Sequence, residues 1–70
     1  MIYVFIADGF EETEAVSTID ILRRAGAKTV TVGIGGNVIR GSHGILLGCD
    51  IADGEFLADE RLEAVVLPGG

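Results

Sequence analysis

Met1-Ile2-Tyr3-Val4-Phe5-Ile6-Ala7, then Asp8-Gly9-Phe10-Glu11-Glu12-Thr13-Glu14, then a segment closing on Arg23-Arg24-Ala25-Gly26, decide the fold of this chain. The opening run has no polar alternation apart from the Tyr3 hydroxyl, which suits a strand covered on both faces, as in parallel α/β sheets. The acidic turn marks the passage from strand to helix. In open parallel sheets, ligands and chemistry gather at the carboxyl ends of the strands. Glu11, Glu12 and Glu14 therefore mark the first place to look for a site.

The segment after the turn carries helix signals at both ends. Asp8, with Glu11 three residues on, resembles a capping box in which Asp stands for Ser or Thr, although a start near Phe10 fits as well. Acidic residues in the first turn and Arg23 and Arg24 in the last suit the helix dipole. Gly26 is placed to be a left-handed C-terminal cap. Ala15, Ile19 and Leu22, with Val16 beside them, form one apolar stripe at helical spacing.

Working outward, Lys28-Thr29-Val30-Thr31-Val32-Gly33-Ile34 is rich in β-branched residues and reads as a second strand. Strand, helix and strand make a βαβ unit, whose two strands should lie parallel. Gly35-Gly36-Asn37 signals a turn. Val38-Ile39-Arg40 and Ile45-Leu46-Leu47, separated by Gly41-Ser42-His43-Gly44, read as a small antiparallel hairpin. Gly33-Ile34-Gly35-Gly36 follows a strand but opens no helix, so a dinucleotide fingerprint fails there. Residues 53–61 are ambiguous: Phe56, Leu57 and Leu62 would anchor a short helix, but Gly54 and the clustered acids weaken it. Glu63-Ala64-Val65-Val66-Leu67 reads as a buried strand that turns off at Pro68-Gly69-Gly70.

A chain of 70 residues holds at most one domain. At this size a single core rarely supplies more than ~3–5 kcal/mol. Small folds often add disulfides or a metal, but there is one cysteine, Cys49, and one histidine, His43. No internal disulfide is possible and no metal site is spelled out. Yet 49% of the residues are hydrophobic, more apolar surface than so short a chain covers by itself. A partner surface is expected. The net charge of −6 repels phosphate backbones and anionic lipid, which argues against nucleic acid and membrane partners. No apolar run approaches the ~20 residues of a membrane span, and no basic segment precedes the first apolar stretch as in a signal peptide. A cytoplasmic setting is the default expectation.

Asp8-Gly9-Phe10-Glu11-Glu12-Thr13-Glu14, Ile21-Leu22-Arg23-Arg24-Ala25-Gly26 and Ala64-Val65-Val66-Leu67-Pro68-Gly69-Gly70 together resemble the ThiJ/PfpI superfamily. The nearest branch is that of the parkinsonism-associated deglycase and its bacterial relatives. The resemblance spans residues 1–70 and matches the N-terminal portion of a single domain of that family. It implies a flavodoxin-like α/β sandwich of the class I glutamine amidotransferase type, usually dimeric. It also implies a cofactor-free, cysteine-dependent hydrolase or lyase of glyoxalase or deglycase type, acting on small reactive carbonyls.

Residue by residue, the family's acid falls on Glu14 and its oxyanion pocket on Gly70, with Gly69 beside it. The nucleophilic cysteine matches no residue here, and Cys49, which follows the hairpin, is at most a redox-sensitive thiol. The expected partners are the complementary C-terminal portion, a second copy and the carbonyl substrate, and this chain alone is not expected to be catalytic. The alternative is a redox-responsive or chaperone-like binding protein without turnover. A receiver-like module with Asp8, Glu11 and Glu12 around Mg²⁺ ranks last, because the third parallel strand ends in Leu67-Pro68-Gly69-Gly70 and not in an acceptor Asp.

Overall fold

The computed structural model describes residues 1–56, 64–66 and 68. Strand β1 (Ile2–Ile6) leads into helix α1 (Glu12–Arg24) and strand β2 (Thr29–Gly33). A hairpin follows, β3 (Val38–Arg40) and β4 (Leu46–Gly48), then a two-residue strand β5 (Ile51–Ala52), a single 3-10 turn (Asp53–Glu55) and β6 (Ala64–Val66). The main sheet has the order β5-β2-β1-β6, with every pair parallel. β3 and β4 pair antiparallel as a separate ribbon.

β1 lies between two neighbours, with Ile2 opposite Thr29 on one side and Ala64 on the other. Its alternate side chains explain the continuous apolar run. Val4 and Ile6 join Phe10, Ala15, Ile19 and Ile39 in one buried cluster beneath α1. Tyr3 and Phe5 point to the other face, where both rings meet Phe56 edge-on at 4.8 and 5.0 Å. Complete burial of side chains such as Val4 and Ile6 stabilises the fold by ~1.5–3 kcal/mol each.

The helix ends as its sequence requires. Gly26 adopts φ +84, and the amides of Gly26 and Ala27 donate to the carbonyls of Arg23 and Leu22 at 3.1 Å each. This paired arrangement satisfies two carbonyls that the last turn leaves open. Beyond the helix, Asp50 knits three elements together. Its carboxylate accepts from Arg23 at 3.0 Å and from the Thr31 amide at 3.0 Å, while its own amide donates to the Thr31 hydroxyl at 2.8 Å.

Two expectations need correction, and the sheet gains a further strand. The helix starts at Glu12 with Glu11 as its N-cap, because the Asp8 carboxylate accepts instead from the Arg40 amide at 3.1 Å. Val16 is 48% exposed and lies outside the core stripe. β5 lies between the hairpin and the ambiguous segment, and it pairs Ile51 with Val32. Within residues 53–61, the described part is the 3-10 turn and Phe56; Leu57 and Leu62 lie outside the described residues, as do Glu63 and Leu67 at the margins of β6.

Candidate functional site

The carboxyl ends of β1, β2 and β6 frame a cavity of about 210 Å³ lined by Phe5, Ala7, Asp8, Gly9, Phe10, Ile34 and Pro68. The β1–α1 turn shapes one wall. Gly9 takes φ +87, and the Phe10 amide donates back to the Ala7 carbonyl at 3.1 Å. That turn buries the Phe10 ring in the core. The cavity thus lies where parallel sheets present ligands.

Glu14 sits in the first turn of α1 and is exposed. Its amide donates to the Glu11 carboxylate at 2.6 Å, which completes the helix cap. Its carbonyl accepts from the Thr18 hydroxyl at 2.8 Å. The described cavity wall does not include Glu14. Pro68 does line it, while Gly69 and Gly70 lie outside the described residues.

Cys49 lies between β4 and β5, half-buried and packed against the core cluster. Burial pushes its thiol up from the ordinary range; a hydrogen bond with Thr31 opposes this and the Asp50 charge adds to it. A protonated thiol is a poor nucleophile. In the folded protein, Cys49 is therefore expected to react with iodoacetamide more slowly than free cysteine at about pH 7. A rate equal to or above that of free cysteine would contradict the placement.

The structure brings together a group that the sequence does not announce. Glu12, which the motif makes look like a solvated first-turn acid, is 7% exposed. Its carboxylate accepts from the amides of His43 at 2.7 Å and Ile45 at 3.3 Å. It also receives the Ser42 hydroxyl at 3.3 Å and His43 Nδ1 at 3.0 Å. Gly41 makes room for it, since a Cβ there would fall 2.4 Å from the carboxylate. Burial alone would raise the Glu12 pKa; the His43 ring and the backbone amides outweigh it and hold the group down at about 2. His43 moves the other way. The hydrogen bond and charge of Glu12 raise it, slight desolvation opposes, and Glu11 adds to the rise.

This cluster is neither a catalytic relay nor a good metal cradle. Ser42 Oγ and Glu12 Oε1 both meet His43 Nδ1, whereas a nucleophile–base–acid chain uses opposite ring nitrogens. Ligand atoms of Glu11, Glu12 and His43 do lie within 4.8 Å of one another. However, both Glu12 oxygens already accept from loop 41–45. Asp8 is taken by the Arg40 amide and Glu11 by the Glu14 amide. The three carboxylates proposed around Mg²⁺ thus each hold a different piece of backbone.

Comparison with known proteins extends this picture. The DJ-1/PfpI family model matches residues 1–70. Protein dj-1beta of Drosophila melanogaster is 37% identical over 68 residues, which is 96% of this chain and 36% of that protein. Protein DJ-1 homolog A of Arabidopsis thaliana is 39% identical over 70 residues, 99% of this chain and 18% of that protein. The crystal structure of Drosophila melanogaster DJ-1beta superposes with a TM-score of 0.89 at 34% identity, covering 99% of this chain and 37% of that one. The chain therefore spans about a third or less of the length of these relatives.

Proposed function

Because the chain belongs to the DJ-1/PfpI family, whose α/β sheet it shares over an N-terminal portion, we propose that it is part of a cofactor-free, cysteine-dependent hydrolase or lyase. The substrates would be small reactive carbonyls, such as 2-oxoaldehydes or their adducts, in glyoxalase- or deglycase-type chemistry. The observation that carries this reading is the cavity between Pro68 and the β1–α1 turn that leads to Glu14. In this proposal residues 1–70 are one portion of a single α/β domain, and the nucleophilic cysteine belongs to the complementary portion. The half-buried Cys49, with its raised pKa, is a poor substitute.

In the proposed step, the thiolate sulfur bonds to the carbonyl carbon, and the carbonyl π pair moves onto oxygen, giving a hemithioacetal after protonation. The Gly70 amide, with Gly69 beside it, donates to that oxygen as charge develops. In this proposal Glu14 lies beside the sulfur and assists its attack on the carbonyl. A homodimer in the cytoplasm belongs to the same proposal. Val16 and Ile21 on α1 and Val38, Ile45 and Leu46 on the hairpin offer exposed apolar side chains for the second copy. Those same side chains favour the second reading, a redox-responsive or chaperone-like binding protein.

The test is turnover of a 2-oxoaldehyde by the full-length protein, with thiol alkylation followed in parallel. Substrate loss dependent on a reactive thiol supports the enzyme. No turnover, with a nucleophile inert at neutral pH, replaces it with the binding reading.

A further inference from the structure

We infer that loop 41–45 is a proton-sensitive latch, shut onto the first turn of α1 by Glu12 and His43. The geometry is that of a clasp. Loop 41–45 is the tip of the β3–β4 hairpin. Four donors to the buried Glu12 carboxylate come from it. The Ser42 amide also donates to the Phe10 carbonyl at 2.8 Å, and the tip is closed internally by Gly41 N to Ile45 O at 2.9 Å and Gly44 N to Gly41 O at 3.0 Å. Gly41 is the one residue type that lets the carboxylate approach so closely. The clasp belongs to this chain's own packing, whether or not the protein is an enzyme.

The charged groups around the latch are few among the described residues. Glu12 faces the His43 ring directly and Glu11 acts on it from the same helix start. Arg40 approaches from β3, its guanidinium near Gly44, and Asp8 holds the Arg40 amide from the β1–α1 turn. Glu12 remains ionised throughout the neutral range, since its carboxyl is held at about 2. The amides and the Ser42 hydroxyl do not titrate there. His43 is the member whose donor strength changes near neutrality.

The shut latch favours the protonated His43 ring. Its pKa in the shut latch lies above the ordinary 6.5. The shut state therefore binds the proton more tightly than the open one. Its extra stability is full below the ordinary value and is lost as pH rises through the raised one. Glu12 contributes at the other end: its stabilisation is present above the ordinary 4.5 and is lost as pH falls towards 2. Above the His43 transition the neutral ring still donates through Nδ1–H, so the latch loosens without losing its backbone donors. A charge-assisted hydrogen bond is roughly twice as strong as a neutral one, but the exposed His43 ring is screened by solvent, so the change in closure is about two- to five-fold.

The experiment is amide hydrogen exchange on the full-length protein from about pH 5.5 to 8.5, corrected for intrinsic rates, across the range in which histidine titrates. Protection of the His43 and Ile45 amides is expected to fall about two- to five-fold through this range, and to stay flat in His43→Gln, whose side chain sits at an exposed position. Imidazole NMR on the same protein should place the His43 midpoint above 6.5, and Glu12→Gln should bring it back down. Unchanged wild-type protection overturns the latch. So does a fall that persists in His43→Gln, or a His43 midpoint at or below the ordinary value.

Discussion

Replacing Glu14 by Ala in the full-length protein is expected to lower kcat on a 2-oxoaldehyde by about 10²-fold or more, the range for removing a positioned proton donor. The fold should survive the change. Glu11 caps the helix through the Glu14 backbone amide, which alanine retains, and Glu14 lies at an exposed position. KM should move little, because the role proposed for the carboxyl is on sulfur and not on the carbonyl substrate. Glu14→Gln separates the two parts of the role. It keeps a hydrogen-bond donor but cannot exchange a proton, so thiol reactivity should recover further than turnover does. Full activity in the folded Glu14→Ala protein removes Glu14 from the chemistry.

Gly33→Ala is expected to destabilise the protein by about 1–3 kcal/mol, the usual cost of forcing a side chain into a filled space. Gly33 closes β2, and a Cβ there would meet the Gly36 carbonyl oxygen at 2.0 Å and Ile39 Cγ1 at 3.1 Å. The first contact is with backbone, so no rotamer change relieves it. The turn that must yield is held at both ends: the Ile34 amide donates to the Ile6 carbonyl at 2.8 Å, and the Asn37 carbonyl accepts from the Cys49 amide at 2.7 Å. Ile34 also lines the cavity, so the same change should disturb ligand binding. Gly36→Ala is the control, since a Cβ there meets nothing within 4 Å. Equal denaturant midpoints for the two variants would contradict the packing described at the end of β2.

Which of these features are legible in the sequence follows the range of the contacts that create them. β1, α1, β2 and the hairpin are written in local terms: an unbroken apolar run, a 3.6-residue stripe, β-branched residues and glycine turns. The Gly26 cap is equally local, since its hydrogen bonds reach back only to Arg23 and Leu22. The helix start is different. Asp8 looks like a cap until Arg40, 32 positions later, takes its carboxylate. Glu12 looks like its solvated neighbours until loop 41–45 folds over it, and its nearest clue is the small Gly41 across from it. β5 is only two residues long and depends on pairing with β2, so no alternation within it could reveal it. The acid assigned to chemistry, Glu14, rests on the motif alone, whereas the acid that organises the local structure is Glu12.

The most direct test of the account is the distance between Glu14 and the nucleophilic sulfur in a crystal structure of the full-length protein. The account predicts a Glu14 carboxyl oxygen within hydrogen-bond distance of that sulfur, beside Pro68. A Glu14 side chain directed into bulk solvent, with the thiol held by other groups, would contradict it.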